Sequence, residues 1–135
     1  MVNAQPAYVD LQGRGPNQPL LFVEKPLPTL EGEKPEEARQ RLNLLRQRGN
    51  PVLASVRRGR SYRITVEGAT HNTFSDEEII SDANAARPRQ LLDFTRMYLR
   101  AFFDEALSEL SESESPLLNT APSDRTIQIE TFSPR

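Results

Sequence analysis

Apolar and polar positions along this chain change their spacing several times, and each change marks an element. Leu20-Leu21-Phe22-Val23 is an unbroken apolar run between Pro19 and Pro26. It is too short for a helix and has the pattern of a strand covered on both faces, as in a parallel sheet. Ala7-Tyr8-Val9 is a briefer run that ends at Asp10, ahead of the turn-forming Gly13-Arg14-Gly15-Pro16, so Asp10 is expected at a strand end. Tyr62, Ile64 and Val66 alternate with Arg63, Thr65 and Glu67. This alternation predicts an edge strand over residues 61–67 with one covered face and one wet face. The strand runs out into Gly68-Ala69-Thr70-His71.

Helical spacing accounts for two further segments. Residues 35–48 open with Pro35, Glu36 and Glu37, carry Arg46 and Arg48 in the last turn, and are followed by Gly49 and Pro51. These are start and stop signals for a surface helix whose apolar stripe is Ala38, Leu42 and Leu45. Residues 91–110 give the strongest helical pattern. Their polar stripe narrows to Asp93, Arg96, Arg100 and Asp104, so this helix is expected to need cover on several sides. Ser75 and Glu78 have the spacing of a capping box for a short helix between the two. From Ser111 the composition turns to Ser-Glu-Ser-Glu-Ser-Pro, which predicts a largely flexible tail with a weak late strand at Ile127 and Ile129.

Composition then narrows the chemistry. The 135 residues are 36% apolar, enough for one small core and no more. Seventeen Lys and Arg stand against nineteen Asp and Glu for a net charge of -2, which gives no reason to expect a nucleic-acid partner. No apolar run reaches the roughly 18 residues of a membrane span. The first twenty residues lack the basic start and apolar stretch of a signal peptide, so a cytoplasmic location is expected for the chain as written. The absence of cysteine excludes disulfides, thiolate zinc sites and a cysteine nucleophile, and the single His71 argues against a histidine-built metal site. No cofactor is implied.

The most informative stretch runs from Tyr62 to Asp76: a strand, a turn of small residues, one histidine and a helix start. Loops at the carboxyl ends of strands are where open α/β sheets place their chemistry. The segment resembles the terminal strand and histidine loop of α/β-hydrolases, most closely the platelet-activating-factor acetylhydrolase and dienelactone-hydrolase-like branch. Its Gly-x-x-His-x-x-Phe-x-Asp pattern stands here as Gly68, His71, Phe74 and Asp76. Leu91 through Leu107, with Tyr-Leu-x-Ala-Phe-Phe-Asp at its centre, is similar to the last helix of these enzymes, and Ser115-Pro-Leu-Leu-Asn119 to their carboxyl-terminal extension. Pro19 through Pro26 resembles the penultimate strand, and Tyr8-Val9-Asp10 the strand end that carries the triad acid.

The resemblance implies a serine hydrolase of carboxylic esters or short acyl groups. In this family the triad follows the order serine, acid, histidine, with the serine on a Gly-x-Ser-x-Gly turn. No such turn occurs in the sequence. The expectation is therefore the carboxyl-terminal part of the fold, carrying base and acid with the nucleophile before Met1. His71 is the implied base, accepting the serine proton and returning it to the leaving group. Asp10 is the implied orienting acid, with Glu24 at the end of the next strand as the alternative.

Other residues have simpler explanations. Asp76, beside Ser75, is expected to serve a helix start. Arg57-Arg58-Gly59-Arg60 lacks interleaved aromatics and is expected to be a solvated loop. Phe94, Tyr98, Phe102 and Phe103 have core spacing.

The fold class expected is α/β, the carboxyl-terminal part of an α/β-hydrolase, with an incomplete parallel sheet near residues 7–9, 19–24 and 61–67 and two main helices. Residues 1–110 form the partial domain and 111–135 the polar extension. Expected partners are an ester substrate of the complete enzyme and a complementing amino-terminal half or a second copy by self-association. The contrasting expectation is a non-catalytic truncated product or interaction module that packs on another subunit.

Overall fold

In a computed structural model of the chain, describing residues 17–26, 28–70, 72–74, 86–108 and 114–134, strand β2 (Ser61–Val66) lies between two neighbours. It pairs in parallel with β1 (Leu21–Glu24) and antiparallel with β3 (Ile127–Phe132). Helix α1 (Pro35–Ala54) connects β1 to β2 as the crossover that parallel pairing requires. Helix α2 (Ala86–Ala106) and the single-turn α3 (Pro116–Asn119) follow a 3-10 turn at Asn72–Phe74. The chain is thus α/β, with a small mixed sheet in place of the all-parallel sheet expected.

Strand alternation sorts β2 into two faces. Tyr62, Ile64 and Val66 meet Leu91, Tyr98 and Phe102 of α2, Leu118 of α3 and Ile127 of β3 in the main core. Tyr62 and Phe102 meet edge to face, their ring centroids 6.3 Å apart. The register places Arg63 beside Phe22 and Glu130, and Thr65 beside Glu24 and Gln128, on the opposite face. That face was expected to be wet, yet every residue of β2 is buried. The reason is tertiary: α1 covers the Arg63 side, and β3, from the segment expected to be flexible, occupies the second edge. Among the described residues β1 takes the edge position instead, each of its residues half-buried.

Helix α1 starts as its sequence predicts, with Pro35 in the first turn and the Glu37 carboxylate accepting from the Lys34 N–H at 3.2 Å. It does not stop at Gly49 or Pro51. A Cβ on Gly49 would stand 2.9 Å from Arg63 Nη2, so this glycine makes room for a guanidinium and does not end the helix. Burial of Leu53 carries α1 past Pro51, and Ser55 closes it by donating its hydroxyl to the Val52 carbonyl at 2.8 Å.

Helix α2 begins earlier and ends earlier than the 91–110 pattern predicts. Pro88 fits its first turn, where the missing N–H leaves no helical bond unmade. The stripe Leu91, Leu92, Thr95, Tyr98 and Phe102 is buried, and the Thr95 hydroxyl is satisfied by the Leu91 carbonyl at 2.9 Å. Phe103, expected in the core, is 54% exposed, because its neighbour Phe102 already fills the sheet-facing position. The expected strand at 7–9 and the Ser75–Glu78 capping box lie outside the described residues.

Two local devices fix the connections. In the β1–α1 loop, Arg41 forks onto Glu33 with bonds of 2.8 and 2.9 Å and also donates to the Pro28 carbonyl at 2.7 Å. The Arg41 bonds, joined by the Leu30 N–H, hold the Glu33 carboxyl down at about 2 from its ordinary 4.5. In the α1–β2 loop, Gly59 has φ +77°, and a Cβ there would fall 2.6 Å from Pro19 Cγ.

Gly59→Ala therefore combines a left-handed backbone with a collision and should cost about 1–3 kcal/mol, read from urea unfolding. Glu33 supplies a pH prediction. Its folded value lies below its unfolded one, so its stabilisation is full above 4.5 and is lost as pH falls through about 2. Glu33→Gln should lower the melting temperature at neutral pH and make no difference near the acid end of that window. An equal loss at both ends would show that the contribution is not electrostatic.

Candidate functional site

Parallel pairing of β1 and β2 brings their carboxyl ends, and hence Glu24 and the loop from Gly68, to one end of the sheet. Gly68 turns the chain with φ +81°, and Ala69 N–H returns to the Val66 carbonyl at 3.2 Å. Thr73, 2% exposed, then staples the loop: its hydroxyl accepts from the Thr70 N–H at 2.8 Å, and its own N–H reaches the Thr70 carbonyl at 3.4 Å. Phe74 packs against the core. The residues on either side of position 71 are thus held to each other. His71 and Asp10, the implied base and acid, lie outside the described residues, as does Asp76.

Glu24, the alternative acid, is described. Its carboxylate turns to the α1 side of the sheet, where Oε1 lies 3.5 Å from Arg63 Nε and accepts from the Thr65 hydroxyl at 3.4 Å. Burial pushes its pKa up; the Arg63 and Arg46 charges pull it back only in part, and Glu130 adds to the rise. The folded chain therefore holds this proton at higher pH than the unfolded chain does, and the group's contribution to stability declines as pH rises through its folded value.

Glu24 belongs to a cluster that the strand pattern misassigns. The Arg63 side chain is 3% exposed. Its Nη1 donates to Asn50 Oδ1 at 2.6 Å and to Glu130 Oε2 at 3.1 Å, and its guanidinium lies 5.7 Å from the Phe132 ring centroid. Nε is buried without a hydrogen-bond partner. The signal for this cluster was the alternation of Gln128, Glu130 and Phe132 with Ile127 and Ile129, which assigns Glu130 to the polar face once β3 is paired. One cation between two carboxylates leaves the cluster with one negative charge in excess, and both carboxylates are engaged by Arg63 as a structural strut.

A second polar cluster sits at the other end of β2. Tyr62 donates to Glu105 Oε1 at 2.5 Å, and Glu105 Oε2 accepts from the Ser115 N–H at 2.6 Å. Asn119 donates to Tyr62 and Glu105, both at 3.2 Å, and accepts from Arg60 at 3.1 Å. Arg60 also pairs with Glu114. Burial, then the Glu105 bond, pushes the Tyr62 hydroxyl up to about 12, so it remains a donor that ties α2 and α3 to the sheet. Arg57 and Arg58 of the same loop are exposed, as their composition predicts.

Among the described residues no helix is long and apolar enough to cross a membrane, and no group of three or more His, Asp or Glu side chains could hold a metal ion. Comparison with family models, with curated proteins and with solved structures finds no match in any of the three.

The Arg63 cluster yields a thermodynamic prediction. Glu130→Gln alone leaves the Glu24 carboxylate on the guanidinium and should cost about 1 kcal/mol, and Glu24→Gln, which removes an ion that burial already disfavours, should cost less. The double variant strands a buried cation and should cost about 3–5 kcal/mol, more than the two singles together. Additive losses in urea unfolding would show that the carboxylates act independently.

Proposed function

We propose that the chain is the carboxyl-terminal portion of a serine hydrolase of the α/β-hydrolase family, acting on carboxylic esters or short acyl groups when joined to a nucleophile-bearing half. The observation that carries this reading is the parallel β1–α1–β2 unit that delivers the Gly68–Thr70 turn at the carboxyl end of the central strand. In an open α/β sheet that end is where catalytic loops converge. Helix α2 follows the loop and packs on the sheet, in the order the resemblance implies.

In this reading His71 takes the proton of the incoming serine and returns it to the leaving alkoxide. A carboxylate on the other ring nitrogen fixes its tautomer and balances the imidazolium. Asp10 is the acid we assign, because the Glu24 carboxylate is committed to Arg63 and Thr65 on the α1 side. The Thr70–Thr73 staple supplies the rigidity that a base needs to hold its geometry through the reaction.

A second reading, a non-catalytic module that packs on another subunit, has its own support: β3 occupies the second edge of β2 and leaves the central strand buried on both faces.

Enzymology separates the two. The chain alone should show no serine-directed esterase activity, since it has no Gly-x-Ser-x-Gly turn. Supplied with an elbow-bearing half in cis or in trans, it should gain activity that falls at least about a thousandfold in His71→Ala. Asp10→Asn should then cost far more turnover than Glu24→Gln. Failure to gain activity, with a cooperative melt of the chain alone, would favour the module.

A further inference from the structure

The side of α2 that faces away from the sheet carries charge of alternating sign. Arg89, Asp93, Arg96, Met97, Arg100 and Asp104 are all exposed, and steps of three and four residues keep them on one side of the helix. They lie opposite the buried Leu91, Thr95, Tyr98 and Phe102. Two ion pairs within the stripe are long, Arg96 to Asp93 at 3.9 Å and Arg100 to Asp104 at 3.7 Å, both at well-exposed side chains. Such pairs contribute little.

The order of signs is self-complementary in one arrangement. Let a second copy of the helix lie antiparallel across this side, with the twofold axis between Arg96 and Met97. Arg89 then faces Asp104 of the second copy, and Asp93 faces its Arg100; symmetry makes each pairing twice. The two Met97 side chains, each 44% exposed, meet beside the axis, as do the two Arg96 side chains, the one like-charged contact of this register against four opposite-charged ones. Moving the axis two residues along, between Tyr98 and Leu99, would instead oppose Asp93 to Asp104. A parallel in-register pairing would set every charge against its own kind. Phe103 and Leu107, 54% and 77% exposed, flank the same side and lose water in the complex.

We propose that α2 docks antiparallel on α2 of a second copy of this chain, with Arg89–Asp104 and Asp93–Arg100 as the intermolecular ion pairs and Met97 at the axis. This interface is independent of the hydrolase reading, since it uses no residue of the His71 loop.

Sedimentation equilibrium of the full chain at low ionic strength is expected to give twice the 15.3 kDa monomer mass, with association weakening as salt rises. Monomer at every concentration, or association that salt leaves unchanged, overturns the proposal. Two charge-inverted chains test the register. Asp93→Arg with Asp104→Arg makes the stripe positive, and Arg89→Asp with Arg100→Asp makes it negative. Each folded variant should be monomeric alone, and an equimolar mixture should form the mixed dimer. A homodimer of either one, or no mixed dimer, refutes the pairing. The native chain has no cysteine, so Met97→Cys adds a check without altering the charges. A short bifunctional maleimide should link it to itself across the axis and should not link Glu36→Cys on α1; equal linking of both overturns the geometry.

Discussion

One guanidinium in the middle of a three-stranded sheet has to be balanced where it stands, because a buried charge without partners would cost more than a small domain has to spare. Arg63 is balanced by one carboxylate from each neighbouring strand and by the Asn50 amide from the helix above. Each contact constrains an element. Glu24 aligns β1, Glu130 requires β3 in its antiparallel register, and Gly49 lets the α1 backbone approach. The polar layer is therefore a specification of which segments meet. The apolar layer on the other side supplies most of the burial: Tyr62, Ile64 and Val66 against Leu91, Tyr98, Phe102 and Leu118.

The two ends of the sheet are built differently. Away from the loop, Tyr62, Glu105, Asn119 and the Ser115 N–H bind the end of α2 and the single turn of α3 into one hydrogen-bonded knot. At the carboxyl end, the chain leaves β2 through a glycine turn and a threonine staple. A rigid sheet with one tied end and one loop-bearing end is a scaffold on which a base can be held in place. The Glu24 carboxylate, near that loop-bearing end, is committed to Arg63 and Thr65. The burial of β2 on both faces bears on the rival reading, since it lets the described elements cohere without further strands.

Helix α2 links these ideas to association. Its inner stripe is spent on the sheet and its outer stripe carries charge, with Met97 among the ions and Leu99, Phe103 and Leu107 in an apolar row beside them. Association through such a face is governed by the order of signs more than by area, which makes it selective for orientation and sensitive to salt.

Local spacing determined much of this. The unbroken Leu21-Phe22-Val23 run and the Tyr62-Ile64-Val66 alternation marked β1 and β2, Pro35 with Glu36 and Glu37 marked the start of α1, and the stripe through Tyr98 and Phe102 marked α2, because strand and helix periods are printed in neighbouring residues. The small-residue turn and the single histidine likewise raised the candidate chemistry directly. Which edge each strand takes was not local. Whether Arg63 faces water depends on Glu130, 67 residues away, and whether Gly49 ends a helix or admits a guanidinium depends on what lies beneath it. The polar segment before β3 gave a weak signal because Leu118 and Ile127 are sparse, and only pairing with β2 and burial against α2 make them core. Sequence spacing therefore determined the elements and the loop that carries His71, while tertiary contact decided burial, strand order and the role of Glu24, since a charge's environment is set by groups that the chain brings together only on folding.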